Sequence, residues 1–493
     1  MSSEKANSGA LDHANTSTDS SSEIESYAIN ERAFVRKLDW RLVPGIALLY
    51  LLSFLDRANV ANATLFSLND ELGMDNGQYL NGLTLFFVGY VLLEVFWNVI
   101  LKRIGPKAWL PTIGVVWGIV SLLQGFIQNK PGVSGVAGFY AVRFFLGVTE
   151  GGLFPGAVFY LSMWYKRNER QFRIALFFSM ASLAGAFGGI LAYGIGYMGG
   201  VGGYAGWRWI FIIEGILTII LAAAGYWYIA DWPSKAKFLN ENERAYVYAR
   251  LKADSDATNN EGFSWRNVAI ALKDPKVWLY CAGYHTLSLP LYTLSLFLPS
   301  IIKSLGYTAA NAQLLTIPPY ALATILTALY AWVSERSGRR APFIIFSNFV
   351  AVIGYAILIS NTDPTGRPGV SYVGTFFAAA GIYPSVAMTL SWPAINVSGQ
   401  TKRATAGALQ ITIGNIGAII GTQIYRAAYG PRYVPGHSTA LGYMLGNVVV
   451  TSTLWYVLSR INKKRDAADA VANGAEIEGE WQGDADPRWR FST

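Results

Sequence analysis

The 493-residue sequence holds one cysteine, Cys281, and three histidines, His13, His285 and His437. A single thiol cannot close a disulfide within the chain or build a thiolate metal site. Histidines this far apart in sequence lack the spacing of a zinc site, so no metal and no cofactor is expected. Charge is also scarce. Asp, Glu, Lys and Arg together make up 14% of the residues, where a soluble protein carries about 25%. There is no phosphate-binding Gly-Lys-Ser/Thr loop and no Gly-x-Ser-x-Gly elbow that would present a nucleophile. ATP drive and hydrolytic chemistry lack their usual residues, and an enzyme is not indicated. The chain begins without the basic residues and apolar run of a cleaved signal peptide. Residues 1–40 are expected to be a disordered tail, as is the acidic stretch from Asp466 to Thr493.

What the chain has in quantity is apolar sequence, 52% by composition, in long runs from Leu42 to Leu458. About 20 apolar residues cross the hydrocarbon core of a bilayer as a helix, and these runs lack the alternation of barrel strands. Twelve spans are predicted, at 42–62, 79–100, 109–127, 136–158, 173–197, 209–230, 277–301, 312–333, 342–360, 371–392, 404–427 and 439–459. A polar stretch, Asp231 to Lys276, separates two sets of six. The expectation is an all-α membrane protein: a tail (1–40), a six-helix bundle (41–230), a linker (231–276), a second bundle (277–461) and a tail (462–493).

The net charge of +8 is not a nucleic-acid signal, because the basic residues flank the apolar spans. Lys102, Arg103 and Lys107 follow span two, and Lys166, Arg167, Arg170 and Arg173 follow span four. Arg336, Arg339 and Arg340 follow span eight, and Lys402 and Arg403 follow span ten. The loop after span one carries Asp70, Glu71 and Asp75 and no base. By the positive-inside rule the even loops and both tails face the cytoplasm, with Arg426 and Arg432 as exceptions on the other side.

A short repeat relates the two sets. Lys102-Arg103-Ile-Gly105-Pro-Lys107 after span two matches Glu335-Arg336-Ser-Gly338-Arg339-Arg340 after span eight. Glycine permits a tight turn between helices. The bases can bind helix carboxyl ends and hold neighbouring helices in one arrangement, or serve as topology determinants alone.

These loops resemble the signature of the major facilitator superfamily, Gly-x-x-x-Asp-Arg-x-Gly-Arg-Arg, with Ala331 and Glu335 at the Gly and Asp positions of the second copy. Lys102 stands where the first copy would have its acid. The stretch Leu38-Asp-Trp-Arg-Leu-Val-Pro-Gly, then Ser53-Phe-Leu-Asp56-Arg57-Ala-Asn59, is similar to the first helix of the anion:cation symporter family, in its fungal allantoate and nicotinate permease branch. Arg143-Phe-Phe-Leu-Gly147-Val-Thr-Glu150 through Trp164-Tyr165 is similar to its fourth helix. The second helix departs from the branch, reading Glu94-Val-Phe96-Trp97-Asn98 in place of Glu-Val-Pro-Ser-Asn. The resemblance implies twelve helices in two pseudo-symmetric bundles. It also implies proton coupling through acids at Asp56 and Glu150, arginines at Arg57 and Arg143 that serve an anionic substrate, and an Asn415 near that substrate.

Charges inside a bilayer are costly and tend to be functional. The first set holds Asp56, Arg57, Glu94, Arg143, Glu150 and Glu214, whereas spans seven to twelve have no acid in their middles. At a rise of 1.5 Å per residue, Asp56 and Arg143 fall at one depth, roughly 10 Å from the outer boundary, which predicts an ion pair between them. Glu150 lies two turns deeper than Arg143 on the same face, near the midplane, with no charged neighbour at its depth, and reads as the proton carrier. Arg57 offers a planar fork for a substrate carboxylate. Glu94 reads as a partner of the Lys102–Arg103 loop, and Glu214 as a packing or interfacial residue. In the second set His285, Tyr284, Tyr292 and Asn415 supply polar and aromatic groups suited to a flat anion. Gly185-Ala186 lacks the proline that drug–proton antiporters carry after the glycine, and Pro155-Gly156 is expected to bend span four. The sequence thus reads as a monomeric plasma-membrane importer of a small organic anion with protons. An exporter of an acidic metabolite and a transporter-like nutrient sensor are the alternatives.

Overall fold

Each apolar run becomes a helix because the backbone of a buried span must satisfy its own hydrogen bonds. The computed structural model of the chain describes residues 27, 29–253, 264–471 and 482–493. Eleven helices among them are long and apolar enough to cross a membrane, and one bent pair brings the number to twelve. In the first half they are α1 Glu31–Thr64, α2 Asn76–Ile104, α3 Pro106–Gln124, α4 Gly135–Ser162, α5 Glu169–Gly196 and α6 Gly206–Tyr228. In the second they are α7 Pro275–Ser304, α8 Ala309–Ser337, α9 Ala341–Ser360, α10 Pro368–Asn396, α11 Gln400–Thr422 and α12 Val434–Ala470. The bent pair is α2, which turns by 44° between Glu94 and Phe96.

The starts and stops follow from local chemistry. Asp75 and Gln78 form a reciprocal capping box at the head of α2. Ser134 caps α4 through the Ala137 N–H. Gly338 ends α8 with φ +65°, a left-handed conformation that favours glycine. α4 is interrupted at Gly151–Gly152, because Pro155 has no N–H for the Gly151 carbonyl.

The packing shows the internal symmetry. α1 lies on α5, α2 on α4 and α3 on α6; in the second half α7 lies on α11, α8 on α10 and α9 on α12. Each pair recurs six helices later. The halves meet along α2–α11 and α5–α8, two seams that the same symmetry exchanges. Large apolar side chains such as Phe96, Trp227, Phe346 and Val449 point outward, as expected where the surroundings are as apolar as the core.

The structure corrects the expected tails. Residues 31–40 are the first turns of α1 and not a disordered segment, because their charges find partners: Asp39 meets Arg173 at 2.5 Å and Glu31 meets Lys166 at 2.6 Å. α12 runs to Ala470, and residues 482–493 pack against the second half with Trp489 and Phe491 buried. Residues 1–26, 28 and 472–481, and the part of the linker at 254–263, lie outside the described residues. The described part of the linker includes two helices, Glu241–Ala253 and Trp265–Lys273. The first is tied to α1 by the Lys37–Glu243 pair at 2.6 Å.

Candidate functional site

Three glycines bring α2 and α4 into backbone contact. A Cβ on Gly147 would lie 1.9 Å from the Phe86 carbonyl oxygen, one on Gly89 2.3 Å from that of Phe144, and one on Gly151 2.6 Å from that of Tyr90. Small residues at such seams let helices approach closely. The consequence is positional: Glu150 is held beside Tyr90 and faces α1.

On α1, Arg57 meets it. Arg57 Nη2 donates to Glu150 Oε2 at 2.8 Å, and Ser53 Oγ donates to the same oxygen at 3.0 Å. Arg57 is 3% exposed and Glu150 0%. Arg57 Nη1 donates to the hydroxyl of Tyr292 on α7 at 2.9 Å, so the pair touches both halves. The guanidinium carbon sits 4.7 Å from the Phe54 ring, 5.0 Å from Phe86, 5.4 Å from Tyr90 and 5.5 Å from Tyr292. These are cation–π distances. Glu150 Oε1 and Arg57 Nε have no hydrogen-bond partner among the described residues.

Two expectations for these charges are corrected. Glu150 has a cation at its own depth, Arg57, because α1 and α4 cross there. Asp56 does not pair with Arg143. Its carboxylate accepts from Ser121 Oγ at 2.9 Å and from Trp117 Nε1 and Thr218 Oγ1, each at 3.1 Å. One residue along α1 is a rotation of about 100°, so Asp56 turns towards α3 and α6 while Arg57 turns towards α4. Equal depth fixed neither azimuth. Arg143 borders the same cage, its guanidinium carbon 4.9 Å from the centre of Phe86, the ring that Arg57 also approaches. Its Nε and Nη1 are buried with no hydrogen-bond partner among the described residues.

Glu94 is corrected as well. Its carboxylate accepts from the Thr412 hydroxyl of α11 at 3.2 Å across the seam between halves, whereas Lys102 and Arg103 are exposed. Glu214 is 0% exposed and accepts from Asn59 Nδ2 at 2.6 Å, which is the packing role and not an interfacial one. Of the second-half residues, Tyr292 joins the cluster. Asn415 is buried, with no partner for Nδ2 among the described residues, one turn beyond Thr412 on the stripe of α11 that meets α2. His285 is not brought to the cluster. Its Nδ1 lies 3.0 Å from the Ile413 carbonyl oxygen and its ring packs near Tyr443. Tyr292 lies seven residues further along the same helix, past Pro290.

The two loop repeats differ. In the first, Gly105 adopts φ +95° beside the Asp231 carboxylate. In the second, Arg340 is buried and its guanidinium donates to Gln171 of α5, across the seam. Gln171 in turn donates to Ser334 at 3.3 Å. Arg336 stacks on Trp332 at 4.0 Å, Arg339 is exposed and Glu335 is half-buried. At the opposite end of the molecule, Thr84 meets Thr422 at 2.7 Å and Gln313 Nε2 donates to the Asn62 carbonyl at 3.4 Å. The halves therefore touch at both ends and enclose the Arg57–Glu150 pair.

The profile of the Major Facilitator Superfamily matches residues 46–422. The chain belongs to the major facilitator superfamily. Among its relatives in the family, the MFS-type transporter cnsO of Penicillium expansum is 36% identical, over 97% of this chain and 96% of that protein. The high-affinity nicotinic acid transporter of Saccharomyces cerevisiae is 31% identical, over 89% of this chain and 80% of that protein. The major facilitator-type transporter hxnP of Emericella nidulans is 30% identical, over 94% and 93%. Among solved structures, the proton:xylose symporter XylE bound to 6-bromo-6-deoxy-D-glucose superposes with a TM-score of 0.65 at 16% identity, covering 84% of this chain and 95% of that one. The chain is thus a multi-pass membrane transporter of this superfamily, and its relatives include the nicotinate type that the first and fourth helices resemble.

Sequence reasoning missed the partners. Ser53 lies one turn before Arg57 on the same face, a signal that was available. Trp117, Ser121 and Thr218, which surround Asp56, carried none, since nothing in their spacing points to α1.

Proposed function

We propose that this transporter imports a small, flat organic monocarboxylate, of the nicotinate, allantoate or vitamin type, together with a proton. The basic loops and both terminal segments then face the cytoplasm of the plasma membrane, as the positive-inside rule implies. The supporting observation is the buried Arg57–Glu150 pair inside an aromatic cage shared by both halves.

The chemistry follows from charge balance. Arg57 remains charged, and its counter-charge in the closed arrangement is Glu150. An incoming carboxylate can take that place only if Glu150 gives it up. Two carboxylates on one buried cation would leave an uncompensated charge, which is strongly unfavourable. Glu150 is relieved by accepting a proton, and Oε1, which has no partner among the described residues, is the oxygen open to it. Anion and proton therefore enter together, the site stays neutral, and each is needed for the other. Phe54, Phe86, Tyr90 and Tyr292 give the ring of a flat substrate its apolar contact. Arg143, beside Phe86, offers two donors that have no partner among the described residues. Asn415 lies on the α11 stripe facing the same space. Asp56, held by three neutral donors, keeps α1 seated on α3 and α6.

The test is uptake of radiolabelled nicotinate by cells expressing the chain, at external pH 5 and pH 7, with and without a protonophore. Faster uptake at pH 5 that the protonophore abolishes is expected. Equal competition by neutral nicotinamide would overturn the anion assignment, and pH-independent uptake would overturn proton coupling.

A further inference from the structure

Residues 482–493 lie across the end of the second half that carries the basic loops, and their contacts are those of a recognised peptide. Asp484 is 4% exposed; Lys402 of α11 donates to both of its carboxylate oxygens at 2.8 Å, and Lys276 of α7 lies 3.6 Å away. Arg465 of α12 donates to the carbonyls of Asp484 at 3.0 Å and Trp489 at 2.7 Å. Trp489 and Phe491 are 2% and 4% exposed, in an apolar cluster with Val277, Cys281, Ile344 and Trp392.

Two side-chain amides read the backbone of the segment. Asn462 of α12 donates to the Phe491 carbonyl at 2.8 Å and accepts from its N–H at 2.9 Å. Asn396 of α10 does the same with Ser492, at 2.8 Å in both directions. Trp392 Nε1 also donates to the Ser492 carbonyl, at 2.9 Å. Finally, the Arg340 N–H donates to the Thr493 carbonyl at 2.6 Å, and Ser492 Oγ donates to that of Gly338 at 3.3 Å.

The segment thus combines an anchored carboxylate, two buried aromatic side chains and backbone bonds to two side-chain amides, which is how peptide sites gain affinity and register together. It ends on the turn whose Arg340 side chain reaches Gln171 in the first half. We propose that this face of the second half is a peptide-binding site whose ligand is the chain's own segment 482–493, and that its occupancy holds the Arg340 turn against the first half. The segment then acts as a strap on the closed arrangement: its release frees the turn that joins the two bundles at this end. This inference is independent of the transported substrate.

Cys281 supplies a native reporter, since it is 1% exposed within the apolar cluster that Trp489 and Phe491 complete. The rate of its maleimide labelling is measured in the full chain in nanodiscs. The Trp489→Ala/Phe491→Ala double variant and Asp484→Lys are expected to label at least about tenfold faster through local opening. The milder Asp484→Asn, which keeps side-chain shape, is expected to label about threefold faster. A synthetic peptide of residues 482–493, added in excess to the double variant, should restore slow labelling, and the same peptide carrying Asp484→Lys should not. In a Cys281→Ser background, Ala175→Cys, one turn from Gln171 on α5 and 1% exposed in the parent, should become reactive in the same variants. Unchanged Cys281 labelling in Asp484→Asn and Asp484→Lys, or no protection by the peptide, would refute the site. Reactive Cys281 with an unreactive Ala175→Cys would refute the link to the Arg340 turn.

Discussion

Replacing Glu150 with Gln separates the two roles that the buried pair combines. The substitution preserves the shape and removes the charge opposite Arg57, which lies 2.8 Å away with both side chains buried. Breaking a buried ion pair by neutralising one partner costs about 3–5 kcal/mol, because the remaining charge is left uncompensated. The empty variant should therefore melt well below the parent. An anion is then the natural complement to Arg57, and it has no competitor for the site. At a concentration about a hundredfold above its Kd a ligand returns about 2.7 kcal/mol, close to the loss. Nicotinate should thus rescue the variant more than it stabilises the parent. The pH dependence separates them further. In the parent each anion brings a proton to Glu150, so apparent affinity should fall about tenfold per pH unit as pH rises through the range where that proton is lost. In the variant nothing is left to protonate at this position, and affinity should be flat from pH 5 to pH 8. The assays are thermal unfolding with and without nicotinate at several pH values, and proteoliposome transport. Counterflow exchange should persist, while accumulation driven by a proton gradient should vanish. Uphill uptake surviving in Glu150→Gln, or binding that keeps the parent's pH dependence, would refute the reasoning.

Three further outcomes are expected. Arg57→Lys keeps the charge but loses the fork that serves Glu150 and Tyr292 together; nicotinate affinity should fall at least about tenfold, or about 1.4 kcal/mol, as read by competition binding. Gly147→Ala places a methyl group 1.9 Å from the Phe86 carbonyl oxygen and should cost about 1–3 kcal/mol by overpacking, seen as lower melting and weaker transport as Glu150 shifts away from Arg57. The strap should ignore pH in the physiological range: the hydrogen-bonded Arg488 beside Asp486 pulls its carboxyl down to about 2. The donors that lower it, Arg488 and the Gln482 N–H, lie within the segment itself, so this carboxyl shapes the turn that docks; a carboxyl lowered when the turn forms contributes above its free value near 4 and loses that contribution as pH falls through its lowered value. Occupancy of the strap, read at each pH by hydrogen exchange of residues 482–493 corrected for the intrinsic rate, should be constant from pH 8 to pH 5 and decline only below about pH 4; a midpoint near pH 6 would contradict it.

The twelve spans, the two halves and the four central charges on α1 and α4 were legible in the sequence, because each depends on a property that accumulates along one segment. Twenty apolar residues define a span whatever surrounds it. A charge placed within a span has a depth set by counting residues. What counting leaves open is azimuth. Asp56 and Arg57 are neighbours in sequence, yet one serves α3 and α6 and the other α4 and α7. The expected Asp56–Arg143 pair matched in depth and failed in direction. Glu94 failed likewise, since the bend of α2 and the approach of α11 decide what it meets. The direction of His285, whose ring nitrogen meets the Ile413 carbonyl of α11, is likewise a matter of azimuth.

The strap was illegible in a different way. Residues 482–493 are polar, short and rich in Asp and Arg, and such a stretch buries too little apolar surface to order itself. Its order comes from a bed already formed by five helices, which supplies the lysines, the amides and the apolar pocket at once.

By itself, then, the sequence determined that this chain lives in a bilayer, how many times it crosses, and which helices carry charge into the apolar layer, because membrane solvation acts on each segment separately. The tertiary structure alone decided which of those charges face one another, which ring systems enclose them, and where the distal segment docks. Those are relations between segments distant in sequence, and the angle at which two helices meet is set by the close packing of their faces.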